Sequence, residues 1–384
     1  MRILFVTATY LPTINGVSYQ IDILKKGLEE LGHKVFVLAP SFPGYKDADK
    51  NILRYPSLPN PFVKKYPLGI PFVSLERIQK IKPDIIHTHH PSIIGQAAGI
   101  LSDALNVPLF FTANTQYEKY LHKYFPQGKK ITSNLLKSNL QNLSQKCHTI
   151  ICPSVNTKKA FEKMGIKNLV VIHNSIEAEF FHKPIKKDYR VPTLIYTGRI
   201  NREKNPLFLV AIAKELKKLL PGFRLLILGD GALLDDLTRK IYTEKLQGNI
   251  LTTGDVARSL LPSIYKASHI FITPSVTEVM PLSIIEAMAS GLPILALEKS
   301  ELEDVVIDGK TGFLLQKDTR IIAKKINYLF KNPKLLNNLA QEAYKHSLKF
   351  SVKVKSKELE KLYKKSISDK LGKSKFHGRQ ERTF

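Results

Sequence analysis

Cysteine is scarce in this chain. Cys147 and Cys152 are the only two among 384 residues. Neither has a second ligand at metal-binding spacing, so both read as small buried hydrophobes, and a reducing cytoplasm is the expected compartment. Long apolar runs are missing as well: none approaches the roughly 20 residues that cross a bilayer as a helix. The N-terminal MRILFVTATY opens on a strand pattern without a signal-peptide layout. Any membrane contact is therefore expected to be peripheral, on the inner face. Acidic residues are few: 33 Asp and Glu stand against 59 Lys and Arg, a formal net charge of +26. That charge is silent about fold but favours anionic partners, whether nucleic acid, acidic lipid surfaces or phosphorylated small molecules.

What is present is a regular alternation. RILFVTA, HKVFVLAP, PDIIHTH, PLFFTAN, TIICPS and LVVIHN are short, nearly continuous apolar runs separated by helical patterns. They predict a parallel sheet covered on both faces. HKPIKKDYRVP, residues 182–192, interrupts with charge and two prolines and reads as a linker. The alternation then restarts with TLIYTGR, FRLLILGDG, NILTTG, HIFITPS and LPILAL. The expected organisation is an N-terminal α/β domain over 1–180 and a second over 190–350. A helix over 351–370 and an aperiodic basic tail over 371–384 follow. Ligands of open parallel sheets bind beyond the carboxyl ends of the strands, so useful residues are expected in the loops there, in a cleft between two such domains.

Several of those loops carry chemistry. Gly16 opens the first helix, where backbone amides can approach an anion, although taken alone a turn glycine is the better explanation. Arg199 and Lys204 flank the turn GRINREKNP and could hold a diphosphate, in a chain where basic residues are common. LGDGALLDDL lacks the third glycine of a dinucleotide fingerprint, since Leu234 occupies that place; close backbone turns suit Gly229 and Gly231 better. DGALLDD has the wrong spacing for an Asp-X-Asp metal site. HTHH, after a strand, has no acidic partner in its local pattern.

The segment SVTEVMPLSIIEAMASGLP, residues 275–293, places Glu278 and Glu286 among apolar and small residues. Carboxylates are costly there unless paired. Ser283 with Glu286 matches a capping box if the helix starts at Ser283. Starting it with Pro281 at the first helical position instead frees Glu286, and leaves the amides of Leu282 and Ser283 as unpaired donors for an anion. Gly291 is placed to end the helix.

The motif TEVMPLSIIEAMASGLPILA resembles the glutamate–seven residues–glutamate signature of retaining glycosyltransferases of family four, which have the GT-B fold. NGV at 15–17, GR followed by EKN, GDG, and TG at 253–254 match in the same order, so the resemblance spans residues 1–350. It implies two Rossmann-like α/β domains facing a cleft, with a C-terminal helix returning to the N-terminal domain. It also implies a nucleoside-diphosphate sugar as donor, with Arg199 and Lys204 neutralising the diphosphate. Backbone amides at Leu282 and Ser283, with Gly16, complete that site. Glu286 accepts from the ribose hydroxyls and Glu278 binds the transferred sugar. No metal or other cofactor is expected. Two departures stand out. Pro281 replaces a common glycine and has no N–H to donate. Asn114 occupies the position of a family histidine, and so offers hydrogen bonds but no titrating group.

QYEKYLHKY is similar to a segment of enzymes that glycosylate diacylglycerol, which implies acceptor contacts at Tyr117, Tyr120 and His122; a plain amphipathic helix reads the same. Ile131, Leu135, Leu136, Leu140 and Leu143 form one stripe beside lysines, suited to a core or to anionic lipid. The expected partners are a sugar nucleotide, a lipid or glycan acceptor and an anionic membrane surface. A transferase of cell-wall or exopolysaccharide assembly is the alternative. A nucleic-acid-binding protein would leave the glutamate motif unexplained, and no nucleic acid is expected.

Overall fold

The computed structural model describes residues 1–60, 67–70, 75–114, 129–182, 184, 190–275, 278, 280–298 and 302–380, without the side chains of 129–136 and 371–380. The chain divides into two compact units, one made of Met1–Ser175 with Val352–Phe384, the other of Ile176–Ser351.

The first unit holds the strands β1 (Arg2–Val6), β2 (Lys34–Pro40), β3 (Ile52–Tyr55), β6 (Ile85–Thr88), β7 (Leu109–Thr112), β8 (Thr149–Cys152) and β9 (Leu169–Val171). They form one sheet in the order β3-β2-β1-β6-β7-β8-β9, parallel throughout. A small antiparallel pair, β4 (Ser57–Leu58) with β5 (Leu68–Gly69), is set into the connection after β3. The helices are α1 (Gly16–Glu30), α2 (Leu75–Ile81), α3 (Ile93–Leu105), α4 (Lys129–Lys146), α5 (Val155–Lys163) and, at the chain's end, α12 (Val352–Gln380).

Successive residues of a strand point to opposite faces, and here both faces are covered. Leu4, Val6, Phe36, Leu38, Ile86 and Phe111 pack with Ile94 and Ala98 of α3 and with Leu140 and Leu143 of α4. Ile3, Phe5, Val35, Val37, Ile85 and Phe110 pack with Ile21 and Leu28 of α1 and with Leu359 and Tyr363 of α12. The last helix thus completes the first unit's core. The Tyr363 hydroxyl lies 2.6 Å from Nδ1 of His87, and His33 reaches Glu360 at 2.9 Å. The helix runs on to Gln380, past residue 371 where the aperiodic tail was expected; residues 381–384 lie outside the description. Cys147 and Cys152 are buried free thiols.

The second unit holds β10 (Thr193–Thr197), β11 (Arg224–Leu228), β12 (Ile250–Gly254), β13 (Ile270–Thr273), β14 (Ile294–Leu297) and β15 (Gly312–Leu315). They form a parallel sheet ordered β12-β11-β10-β13-β14-β15. Its helices are α6 (Pro206–Leu219), α7 (Leu234–Thr243), α8 (Leu261–Ala267), α9 (Leu282–Ala289), α10 (Thr319–Lys331) and α11 (Pro333–Ser347). One face packs on α6 and α10, the other on α8, α9 and the residues Ile176, Phe180 and Phe350. The boundary between units therefore falls at Ser175/Ile176, ahead of the linker read from the sequence. Ile176 donates its N–H to Phe350 O at 3.0 Å and anchors the segment to the second unit. Of that linker, residues 183 and 185–189 lie outside the description.

Candidate active site

The order β12-β11-β10-β13 reverses direction between β10 and β13, and doubly wound sheets bind ligands outside the carboxyl ends at that reversal. The structure has a concavity of about 180 Å³ on this edge, lined by Thr197, Gly198, Arg199, Leu228, Gly229, Asp230, Asp255, Val256 and Leu261. Gly229 makes the close approach possible. Its φ is +133°, and a Cβ there would meet the Gly198 carbonyl oxygen at 2.1 Å. The GDG segment is a close contact with the neighbouring loop at Gly198, Ile200 and Asn201.

Both glutamates of the motif are buried and each carries a cation. Lys204 ends a short turn between β10 and α6, and its Nζ lies 2.6 Å from Glu278 Oε1, with the two side chains 19% and 8% exposed. Arg199 lines the concavity; its guanidinium is more open, 3.6 Å from Glu203, while its carbonyl accepts the Tyr196 hydroxyl at 3.2 Å. Glu286 lies inside α9 on the face that packs against the core. Arg258, on the turn preceding α8, donates from Nη2 to Glu286 Oε1 at 2.6 Å. The Tyr265 hydroxyl donates to Oε2 at 3.3 Å and lies 2.5 Å from the Thr197 hydroxyl. Burial pushes the Glu286 carboxyl up; Arg258 and the Tyr265 hydrogen bond oppose it, Glu177 adds to it, and the balance stays upward.

Helix α9 begins differently from either expectation. Its N-cap is Pro281, in extended conformation, with no side-chain cap. Proline thus precedes the first helical position instead of filling it. Ser283 is the second helical residue, so no capping box with Glu286 forms. Leu282 and Ser283 contribute the first two amides of the helix. At the other end Gly291, φ +71°, donates to Met288 O, and Leu292 donates to Ala287 O at 3.0 Å, the paired bonds of a glycine-terminated helix.

In the first unit, Gly16 is the first residue of α1, and open space surrounds the place of a Cβ. The amides of Val17 and Ser18 are held by the Asn15 side chain at 2.9 and 3.0 Å. Asn114 sits 3.4 Å from His89 Nδ1 and from Thr112 O. His87 stacks on His89, and the Ala8 amide donates to His90 Nδ1 at 3.1 Å. Burial pushes His87 down to about 3 and His90 to about 4, and lowers His89 as well, so all three are neutral imidazoles. Tyr117, Tyr120 and His122 lie outside the described residues. Among the described residues no cluster of three or more His, Cys, Asp or Glu is placed to hold a metal ion.

Sequence reasoning missed Arg258, Tyr265 and Thr197. Arg258 follows the TG at 253–254, in a loop where useful residues were expected, but nothing in the pattern separates it from the other basic residues. Tyr265 reads as a core aromatic, and its hydroxyl's role needs the fold.

Two doubly wound parallel sheets in one chain make the GT-B architecture. The chain matches the family model "Glycosyltransferase Family 4" over residues 14–180 and "Glycosyl transferases group 1" over 177–346. It belongs to these GT-B glycosyltransferases of family four, and it is a glycosyltransferase. It is 28% identical to an alpha-monoglucosyldiacylglycerol synthase of Acholeplasma laidlawii, over 94% of this chain and 96% of that one. To the synthase of the same name from Streptococcus pneumoniae it is 29% identical, over 89% and 81%. Among solved structures, Anabaena Alr3699/HepE in complex with UDP superimposes with a TM-score of 0.76 at 17% identity, over 95% of this chain and 100% of that one; at that identity the likeness concerns the fold alone.

Proposed function

We propose that the protein moves a hexose, with retained configuration, from a nucleoside-diphosphate sugar to diacylglycerol or a related lipid at an acidic membrane surface. The observation that carries the donor half is the pair of buried carboxylates, Glu278 on Lys204 and Glu286 on Arg258, at the strand reversal beside a concavity lined by Arg199. Ionised carboxylates accept without donating, which suits sugar hydroxyls, while the cations suit phosphate. In this reading Arg199 and Lys204 neutralise the diphosphate and stabilise the charge that grows on it as the sugar leaves. No metal is required for that task. Glu286 receives the pentose hydroxyls and Glu278 the transferred sugar. Lys204, 2.6 Å from Glu278, links the two: it turns from carboxylate to phosphate, or bridges them, when donor enters.

Three things support the lipid half. The relatives reported above are named for glucosyldiacylglycerol. The charge is uneven: the first unit has 33 Lys and Arg against 14 Asp and Glu, the second 26 against 19. Ile93 and Ile100, one face of α3 in that basic unit, are 73% and 64% exposed. Among the described residues no helix is long and apolar enough to cross a membrane, which fits peripheral attachment at the inner face.

The donor assignment is tested by separating binding from turnover. Glu286→Ala should weaken UDP binding by about tenfold or more in calorimetry, the worth of hydrogen bonds to a charged group. Glu278→Ala should leave UDP binding within about threefold and lower single-turnover transfer by roughly a hundredfold. Unchanged kinetics in both variants would end the assignment.

A further inference from the structure

Arg258 has no role in the reading above beyond its contact with Glu286. Its guanidinium carbon lies 4.8 Å from the centroid of the Phe180 ring. Its Nε is 3.9 Å from Glu177 Oε2 and its Nη2 is 2.6 Å from Glu286 Oε1. The arginine side chain is 35% exposed and the Glu286 side chain 3%. The pair therefore runs from the interior toward the lip of the concavity, where Val256 and Leu261 on either side of Arg258 in sequence form part of the wall. Thr197, also on the wall, connects through Tyr265 to the other carboxylate oxygen.

An ionised carboxylate has about four acceptor positions. Arg258 takes one on Oε1 and Tyr265 one on Oε2. The capacity that remains on these contacts is two, which matches the two adjacent hydroxyls of a ribose. A protonated Glu286 would carry an O–H in place of one acceptor and would no longer match.

We propose that Arg258 is a positioning residue of the donor site: stacked on Phe180, it keeps the Glu286 carboxylate in its acceptor-only form and orientation for the 2′- and 3′-hydroxyls of the nucleotide. The inference rests on the donor reading above. The charged and titratable groups facing Glu286 are Arg258 and Tyr265, from α8 and the turn before it, and Glu177, from the segment that begins the unit. Arg258 is the cation among them. Without it, burial and the Glu177 charge act against a single tyrosine hydrogen bond. The sign follows: the carboxylate takes up its proton at a higher pH, and discrimination for ribose is lost as pH falls through that point.

The test titrates the full-length chain with UDP and with 2′,3′-dideoxy-UDP between about pH 5 and 8.5. The phosphates are common to both ligands, so the ratio of affinities isolates the hydroxyl contacts. The wild-type chain should prefer UDP by about tenfold at neutral pH. In Arg258→Met the preference should collapse toward one at neutral pH and recover only at higher pH, its acid limb displaced upward. Affinity for the dideoxy analogue should stay within about twofold, since phosphate binding is untouched. Arg258→Lys, which keeps a cation, should restore the wild-type limb; if the methionine variant fails to fold, Arg258→Gln makes the same comparison. A merely structural ion pair would lower stability without moving the ratio. An Arg258→Met or Arg258→Gln chain that keeps the wild-type preference and acid limb overturns this inference alone. A wild-type chain that binds neither UDP nor GDP overturns the donor reading and this inference with it; where GDP is the nucleotide bound, the same comparison runs with GDP and its dideoxy analogue.

Discussion

Lys204 is the residue on which the donor site turns, because it touches Glu278 while standing in the loop that faces the concavity. Replacing it with methionine removes a cation from a half-buried position and leaves a carboxylate that is 8% exposed to find another partner. Lys204→Met should weaken UDP binding by tenfold or more, the worth of about 1.5–3 kcal/mol for a charge-assisted hydrogen bond. Uridine, without phosphates, should bind as it does to the wild-type chain; calorimetry with both ligands checks this. Much of this site could be read in the sequence. Two acids in an apolar stretch are an anomaly that pattern alone exposes; two cations in a loop after a strand are not, in a chain with 59 Lys and Arg, and gain weight only beside the glutamate motif. Their pairing was not legible, because Lys204 with Glu278 and Arg258 with Glu286 are contacts between segments far apart in the chain. Only folding the sheet brings those segments together.

At the scale of elements, the end of β6 and the residues just after it carry three neutral histidines, of which His87 reaches Tyr363 of α12 and His90 accepts from the Ala8 amide. An unfolded histidine takes up a proton near pH 6.5, whereas burial holds His90 at about 4 and His87 at about 3. Between those values the unfolded chain binds more protons than the folded one, so stability falls as pH falls below about 6.5, by at most about 1.4 kcal/mol per pH unit for each histidine. His90→Asn keeps an acceptor for the Ala8 amide but cannot titrate. The variant's unfolding free energy, followed by urea denaturation from about pH 7 to 5, should lose roughly one proton's worth of that slope; an unchanged slope would contradict the account. Element by element, the apolar strands β1, β2, β6 to β8, β10, β11, β13 and β14 are plain in the sequence, since parallel strands buried on two faces need continuous apolar runs. The strands β3 and β15, each four residues like β6, are not. β3 alternates burial along four residues, and β15 opens on Gly312, whose missing side chain lets Ile294 O approach to 2.0 Å from where a Cβ would be. The start of α9 is not legible in the sequence, because proline serves both as first helical residue and, as here, as an uncapped entry to the helix.

Over the whole molecule, the last helix returns to complete the first unit, which also holds most of the excess positive charge. That excess predicts salt-sensitive attachment to acidic vesicles. Binding should be strong at about 0.05 M salt and largely lost by about 0.5 M, as screening shortens from above 10 Å to a few ångströms, and neutral vesicles should bind weakly at either salt; vesicle sedimentation checks both. The doubling of the fold is legible because the alternation of strand and helix stops and restarts, whereas the return of the final helix is implied by the family resemblance and not by the helical pattern itself. The central claim, transfer of a sugar from a nucleotide to a lipid, is tested most directly by incubating the full-length chain with radiolabelled UDP-glucose or GDP-mannose and acidic vesicles containing diacylglycerol, then extracting with chloroform. The account predicts label from one of the two donors in the organic phase, absent when diacylglycerol is omitted and reduced in Glu278→Ala. Label that passes only to water-soluble glycans, with the organic phase blank for both donors, would contradict it.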